Sequence, residues 1–159
     1  MPMRMPLTQM RIRRQSPNNT FGMVRRSRAG TPRPHQGWDL RAAVGTPVQA
    51  IAEGHVVQVH DEDSGDYGRS ITLAFLHNGR RYFAFYAHLS AVEVRNRDTV
   101  HGGQTIGKTG KTGNASGLCA IDDHLHFEIR TEQHVGRGLG GRIDPGELLG
   151  YEVYSSQPE

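Results

Sequence analysis

The chain has a single cysteine, Cys119, among its 159 residues. That excludes an intramolecular disulfide and the cysteine-rich zinc modules, so any bound metal must rely on histidine and carboxylate side chains. Long apolar runs are lacking as well. No window approaches the roughly 20 residues that a membrane-spanning helix needs, and Met1-Pro2-Met3-Arg4-Met5-Pro6-Leu7 holds no apolar stretch of signal-peptide length. A chain without a membrane span and without a classical signal peptide is expected. Sustained helical periodicity is also missing; residues 91–99 come closest and are cut off by Gly102 and Gly103.

What the sequence does contain is turn chemistry: 20 Gly and 8 Pro, with turn residues recurring every ten or so positions, favour short β-strands around one core. Apolar residues at 35% and charged residues at 22% suit one globular domain. The net charge of +3 is mostly local, with Arg4, Arg11, Arg13, Arg14, Arg25, Arg26, Arg28 and Arg33 crowding the first third. Such a surface allows an anionic partner, but no aromatics are interleaved as single-stranded nucleic acid would require, so no nucleic acid partner is expected and the basic segment reads as simply solvated. Residues 1–20 read as a weakly ordered basic lead-in, residues 21–150 as the folded domain and residues 151–159 as a tail. A monomer is the expected state.

The most informative run is Asp123-His124-Leu125-His126-Phe127-Glu128-Ile129-Arg130. Side chains alternate across a strand, so Leu125, Phe127 and Ile129 form one apolar face while His124, His126 and Glu128 share the other. Solvated strand faces usually carry Lys, Thr and Glu, whereas imidazole is the commonest protein ligand for a transition metal and the usual acid or base near neutral pH. Earlier in the chain, Pro34 and Gly37 argue against a helix around His35 and Asp39, so an extended or looped segment must aim them.

Residues 46–60 read as two short strands around a tight turn at Glu53-Gly54, with His55 and His60 structural or exposed. The acidic run Asp61–Asp66 lacks the order of a calcium loop and reads as a surface loop. Asn78-Gly79 between two β-rich runs predicts a hairpin. In its second strand, alternation places Phe83, Phe85, Ala87 and Leu89 on one face and Tyr82, Ala84, Tyr86 and His88 on the other. The segment Gly102 to Thr109 satisfies a phosphate-loop expression, yet the run continues through Gly110, Gly113 and Gly117 with no helix to open, so backbone turns explain it better.

Together, His35-x-x-x-Asp39, Tyr86-Ala87-His88-Leu89 and His124-Leu125-His126-Phe127-Glu128 resemble the motifs of the M23 family of zinc metallopeptidases, the LytM or lysostaphin-like group. Phe21-Gly22, Ala52-Glu53-Gly54-His55-Val56, Gly103-Gln104-x-Ile106-Gly107 and Thr112-Gly113 with Ser116-Gly117 extend the match in the same order. The resemblance implies a mainly β, compact antiparallel sheet or barrel-sandwich-like domain with a substrate groove. It implies one Zn²⁺ per chain held by His35, Asp39 and His126, with His88 and His124 as the catalytic pair beside the attacking water. It also implies hydrolysis of peptides of bacterial peptidoglycan. Three protein ligands leave a fourth position open, as a catalytic zinc requires, and zinc lowers the pKa of water from ~15.7 toward ~7.

Glu128 reads either as a group orienting an imidazole or as an ordinary strand carboxylate, and Tyr86 as an oxyanion donor or part of the groove lining. The chain departs from the family pattern at Leu118–Asp123, a longer loop beside the groove, and at Asn96-Arg97, where a glycine is common. Two other functional classes fit the sequence less well. A non-catalytic wall-binding or regulatory module would have lost the metal positions, all of which are present. A zinc deaminase would use His126-Phe127-Glu128 as its His-x-Glu, but needs a Pro-Cys-x-x-Cys that one cysteine cannot supply. A small, nearly bare catalytic domain expected to lack an export signal suggests an antibacterial effector, delivered by a dedicated secretion system to the periplasm or extracellular cell wall of a target bacterium and countered by a cognate inhibitor (immunity) protein.

Overall fold

The computed structural model describes residues 3–154; residues 155–159 of the expected tail lie outside the described residues. β1 (Gly22–Arg26) and β2 (Pro32–His35) form a separate antiparallel hairpin. The remaining nine strands make one antiparallel sheet: β3 (Trp38–Arg41), β4 (Pro47–Gln49), β5 (Gly54–His60), β6 (Arg69–His77), β7 (Arg80–Val92), β8 (Thr99–Val100), β9 (Thr105–Thr109), β10 (His124–Arg130) and β11 (Arg142–Ile143). A short helix, α1 (Pro145–Leu149), follows; the Asp144 side chain caps its start and Gly150 ends it at a φ of 63°. The expected mainly β, antiparallel class is what the chain adopts.

β10 lies inside the main sheet, with neighbours on both edges. It pairs with β7 along one edge and with β3 and β11 along the other, and every residue from His124 to Arg130 is buried. Leu125, Phe127 and Ile129 enter the main core with Trp38, Leu40, Ile71, Leu73 and Tyr86. Fully burying one such side chain is worth about 1.5–3 kcal/mol. The opposite face of β10, with His124, His126 and Glu128, lies beneath a groove of about 810 Å³.

β6 and β7 meet at the predicted hairpin, with Asn78 and Gly79 at φ of 51° and 76°, the two positive values a type I′ turn requires. The face assignment along β7 holds only in part. Ala84 and Tyr86 enter the core, but so does Leu89, while Phe85 and His88 line the groove. The cause is a β-bulge: Ile71 faces Tyr86 while Arg69 faces Leu89, so β7 carries one residue more than β6 over that interval. His88, at a φ of 60°, is where the phase changes, and simple alternation could not show it.

Three other expectations need correcting. β4 does not form a hairpin with β5; it pairs with β9, because the turn at Glu53-Gly54 redirects the chain to another strand. The acidic loop does more than cover surface, since Ser64, Gly65 and Asp66 form one wall of the groove. The first twenty residues are not loosely held where they are described. Leu7 and Ile12 are each 2% exposed, Ile12 bridges to Leu40, and the Arg11 carbonyl accepts from the Arg41 N–H at 2.7 Å. Leu7 and Ile12, with Met3 and Met10 packed beside the core, are too unevenly spaced to show a strand or helix period. At the family departure, Arg97 has a φ of 79°, the backbone shape for which glycine is the natural choice.

One of the tightest points of the fold lies between β2 and β3. A methyl group on Gly37 would collide with the Phe127 carbonyl of β10 and with the Glu128 side chain. Gly37→Ala should therefore destabilise the protein by roughly 1–3 kcal/mol through overpacking. Urea denaturation measures this, and an unchanged midpoint would contradict so close an approach.

Candidate metal centre and active site

β2 ends at His35, the connection turns at Gln36-Gly37, and β3 carries Asp39 directly opposite His126 on β10. The expected extended geometry thus brings residues 87 positions apart into cross-strand contact. Asp39 Oδ1 lies 3.1 Å from His35 Nε2 and 2.9 Å from His126 Nδ1. One ligand atom from each of the three residues lies within 4.8 Å of the other two, and all three side chains are buried. His124 Nε2 stands 3.7 Å from the same Asp39 oxygen. The His88 ring is centred 5.1 Å from that of His124 and 6.0 Å from that of His126. All five residues singled out from the sequence therefore share one site.

Each imidazole is anchored by its outward nitrogen. His35 Nδ1–H donates to the Thr20 carbonyl at 2.8 Å, His88 Nδ1–H to the Thr112 carbonyl at 2.9 Å, and His124 Nδ1–H to the Asp122 carbonyl at 2.8 Å. His126 is reversed: its Nε2–H donates to Glu128 Oε2 at 2.7 Å. A proton held on the outer nitrogen leaves the inner nitrogen with its lone pair, and the inner nitrogens of His35, His124 and His126 lie within 3.7 Å of Asp39 Oδ1. Such an arrangement is repulsive unless protons or a cation sit among them. Two imidazoles and a carboxylate, arranged around an open side, are a donor set that fits zinc.

The charges follow from the same contacts. Burial alone would push the Asp39 carboxyl up, but hydrogen bonds from His126 and His35 outweigh it and hold the group well below the usual carboxylate range. Burial opposes protonation of His126, yet the Asp39 and Glu128 carboxylates raise it to about 9. Burial, aided by the positive charge of His126 and His124, lowers His88 to about 4. His124 is lowered too, burial prevailing over the attraction of Asp39.

Several supporting groups gave little sign in the sequence. Glu128, fully buried, accepts from His126 through one oxygen and from Arg130 (2.8 Å) and Arg142 (2.6 Å) through the other. Of its two readings, the structure supports the orienting one. Arg25 donates to Asp39 Oδ2 at 2.9 Å. Arg13 and Arg14 clamp the carboxylate of Asp122, whose carbonyl anchors His124. Tyr67 stacks on His126 at 5.6 Å and accepts from Gln36 Nε2 at 2.5 Å. Tyr86, by contrast, is no groove residue: it is fully buried and its hydroxyl accepts from the Ile51 N–H at 3.1 Å. Tyr86 stays in phase with Ala84 on the core face, the bulge that follows sends His88 to the groove, and Tyr67, just after the acidic loop, lines the groove instead. Arg13 and Arg14 lie outside the strands, so no strand or helix period marks them.

Comparison with known proteins agrees with this geometry. Residues 33–151 match the model of peptidase family M23, and the chain belongs to that family. It is 34% identical over 97 residues to the peptidoglycan DD-endopeptidase ShyA of Vibrio cholerae, covering 60% of this chain and 20% of that protein. It is 36% identical over 125 residues to the DD-carboxypeptidase/endopeptidase Mpg of Neisseria meningitidis, covering 79% of this chain and 25% of that protein. The chain thus spans a fifth to a quarter of the length of these relatives. Among solved structures, the catalytic domain of the antimicrobial peptidase lysostaphin from Staphylococcus simulans superposes with a TM-score of 0.63 at 28% identity, covering 84% of this chain and 90% of that one.

The depressed His88 predicts a pH effect whose sign is fixed. The unfolded chain takes up a proton at this residue near 6.5 and the folded one only at about 4, so the unfolded state holds more protons between those values. Stability therefore falls as the pH drops through that window. His88→Gln should remove about 2–3 kcal/mol of the loss between pH 7 and pH 4. Parallel denaturation curves for the two metal-free proteins at both pH values would contradict it.

Proposed function

We propose that this chain is a zinc-dependent endopeptidase that hydrolyses peptide bonds in the stem or cross-links of bacterial peptidoglycan. The observation that carries the reading is the convergence of His35, Asp39 and His126 on one point, with the inner nitrogens of His88 and His124 at its edge. His35 Nε2, Asp39 Oδ1 and His126 Nδ1 would hold the ion. When bound, zinc supplies a Lewis acid that acidifies water and polarises a carbonyl.

The chain's own residues supply the rest. An extended peptide strand lies in the groove over β10, placing its scissile carbonyl between the two free imidazoles. His88 and His124 are neutral near pH 7, as their burial requires, and each offers a lone pair at Nε2. Between them they take the proton from the attacking water and return one to the departing amine nitrogen. The imidazolium formed in between stabilises negative charge on the carbonyl oxygen. The Tyr67 hydroxyl, whose acceptor side is taken by Gln36, keeps its proton to donate to the substrate. The partly enclosed groove restricts water, which strengthens each of these interactions.

Mass spectrometry of digested peptidoglycan tests the reading. Metal-loaded protein should release peptides with lost cross-links, a chelator should abolish the activity, and His124→Ala should lower it by roughly 10²–10⁴-fold. Unchanged wall fragments end the proposal. Because Glu128 fixes the outer nitrogen of His126, Glu128→Gln should weaken zinc binding roughly 10–100-fold, read by competition with a chromogenic chelator. An antibacterial role extends the same reading to the wall of another cell, with an inhibitor protecting the producer. Expression targeted to the periplasm of a test strain should then cause lysis while cytoplasmic expression does not; equal harm in both compartments counts against it.

A further inference from the structure

A second cavity, of about 370 Å³, opens beside the catalytic groove and is ringed by Arg13, Arg14, Arg25, Arg26 and Arg33, with no acidic residue in its lining. Arg13, Arg25 and Arg33 also line the groove itself, so the two spaces share a wall. We propose that this cavity is a subsite for a carboxylate carried by the peptide that the groove cuts, away from the bond that breaks. The proposal rests on the peptidase reading above and adds which kind of peptide the chain selects.

Three observations support it. First, the hairpin of β1 and β2 sets Arg25 directly opposite Arg33. Like charges facing across an antiparallel pair are destabilising, and an anion between them removes the penalty. Second, the positive charge exceeds what the protein neutralises. Asp122 takes up Arg13 and Arg14, and Asp39 Oδ2 takes up Arg25. Among the described residues, Arg33 has no ion pair and no side-chain hydrogen bond, and Arg26 donates only to the Gly30 carbonyl at 2.8 Å. Third, the position is tied to the chemistry. Arg33 precedes His35 by two on the same strand, so both project from one face, and an anion held by Arg33 lies alongside a strand that passes His35.

The ligand follows from the donors. Guanidinium groups bind planar carboxylates bidentately, in hydrogen bonds about twice as strong as neutral ones. Because the subsite shares its walls with the groove, the carboxylate belongs to the peptide being cut. A peptide with a free terminal or side-chain carboxylate fits, and an uncharged glycine-type bridge does not.

The test uses the full metal-loaded chain and two peptides with the same scissile bond, one with free carboxylates and one with those groups as carboxamides. The acidic peptide should have a kcat/KM roughly tenfold higher, mainly through KM. Arg33→Gln should abolish the preference and Arg26→Gln should narrow it. Arg28→Gln, which removes the same charge from the exposed hairpin tip outside the cavity, should leave the preference intact. Calorimetric titration of both peptides into metal-free protein reads the subsite without turnover and should show the same preference. Equal binding of the two peptides, or a preference that survives Arg33→Gln, overturns the subsite. Tighter binding of the acidic peptide with no cleavage of either would instead retain the subsite and overturn the peptidase reading.

Discussion

The contact on which the rest depends is the pair formed by Asp39 on β3 and His126 on β10, two residues in register across adjacent antiparallel strands. Their 2.9 Å separation is a product of sheet pairing, not of a flexible loop. Because β10 is flanked on both edges, neither partner can shift without breaking ladder hydrogen bonds, and His35 is delivered to the pair by a turn with no spare room at Gly37. A donor set fixed in this way is preorganised: little reorganisation is needed when a cation enters. The carboxylate also serves as an electrostatic hub. It lies near three imidazoles through one oxygen and is held by Arg25 through the other.

Around that hub, the outer nitrogen of each imidazole has its own acceptor, and the four acceptors come from four separate parts of the chain. Three are backbone carbonyls, whose positions are set by loops rather than by side-chain rotamers. Only His126 leans on a side chain, and that side chain is in turn fixed by two arginines. The segment at Thr20 and the loop at residues 112–123 therefore hold the tautomers of His35, His88 and His124, while the loop at residues 64–68 walls the groove above them.

Much of this was legible in the residues. The two faces of β10, the Asn78-Gly79 hairpin and the extended path from His35 to Asp39 all follow from side-chain period and turn chemistry, and the five site residues follow from motif order. The remainder was hidden for identifiable reasons. The bulge at Ala87-His88 shifts the phase of β7 by one residue, so alternation assigned Tyr86 to the groove face although it lies in the core. Tyr67 carries no signal in the sequence because its partner, Gln36, lies 31 residues away. The arginines of residues 11–33 read as solvated charge because their meeting depends on a hairpin register that composition does not encode.

The left-handed backbone at His88 has a consequence for how this domain can be improved. A non-glycine residue in that conformation costs about 1–3 kcal/mol, and glycine would relieve the strain. Glycine would also delete an imidazole from the rim of the metal centre. Endurance and chemistry therefore compete at a single position, and a thermostabilised descendant of this chain must find its gains in the sheet and loops away from residue 88.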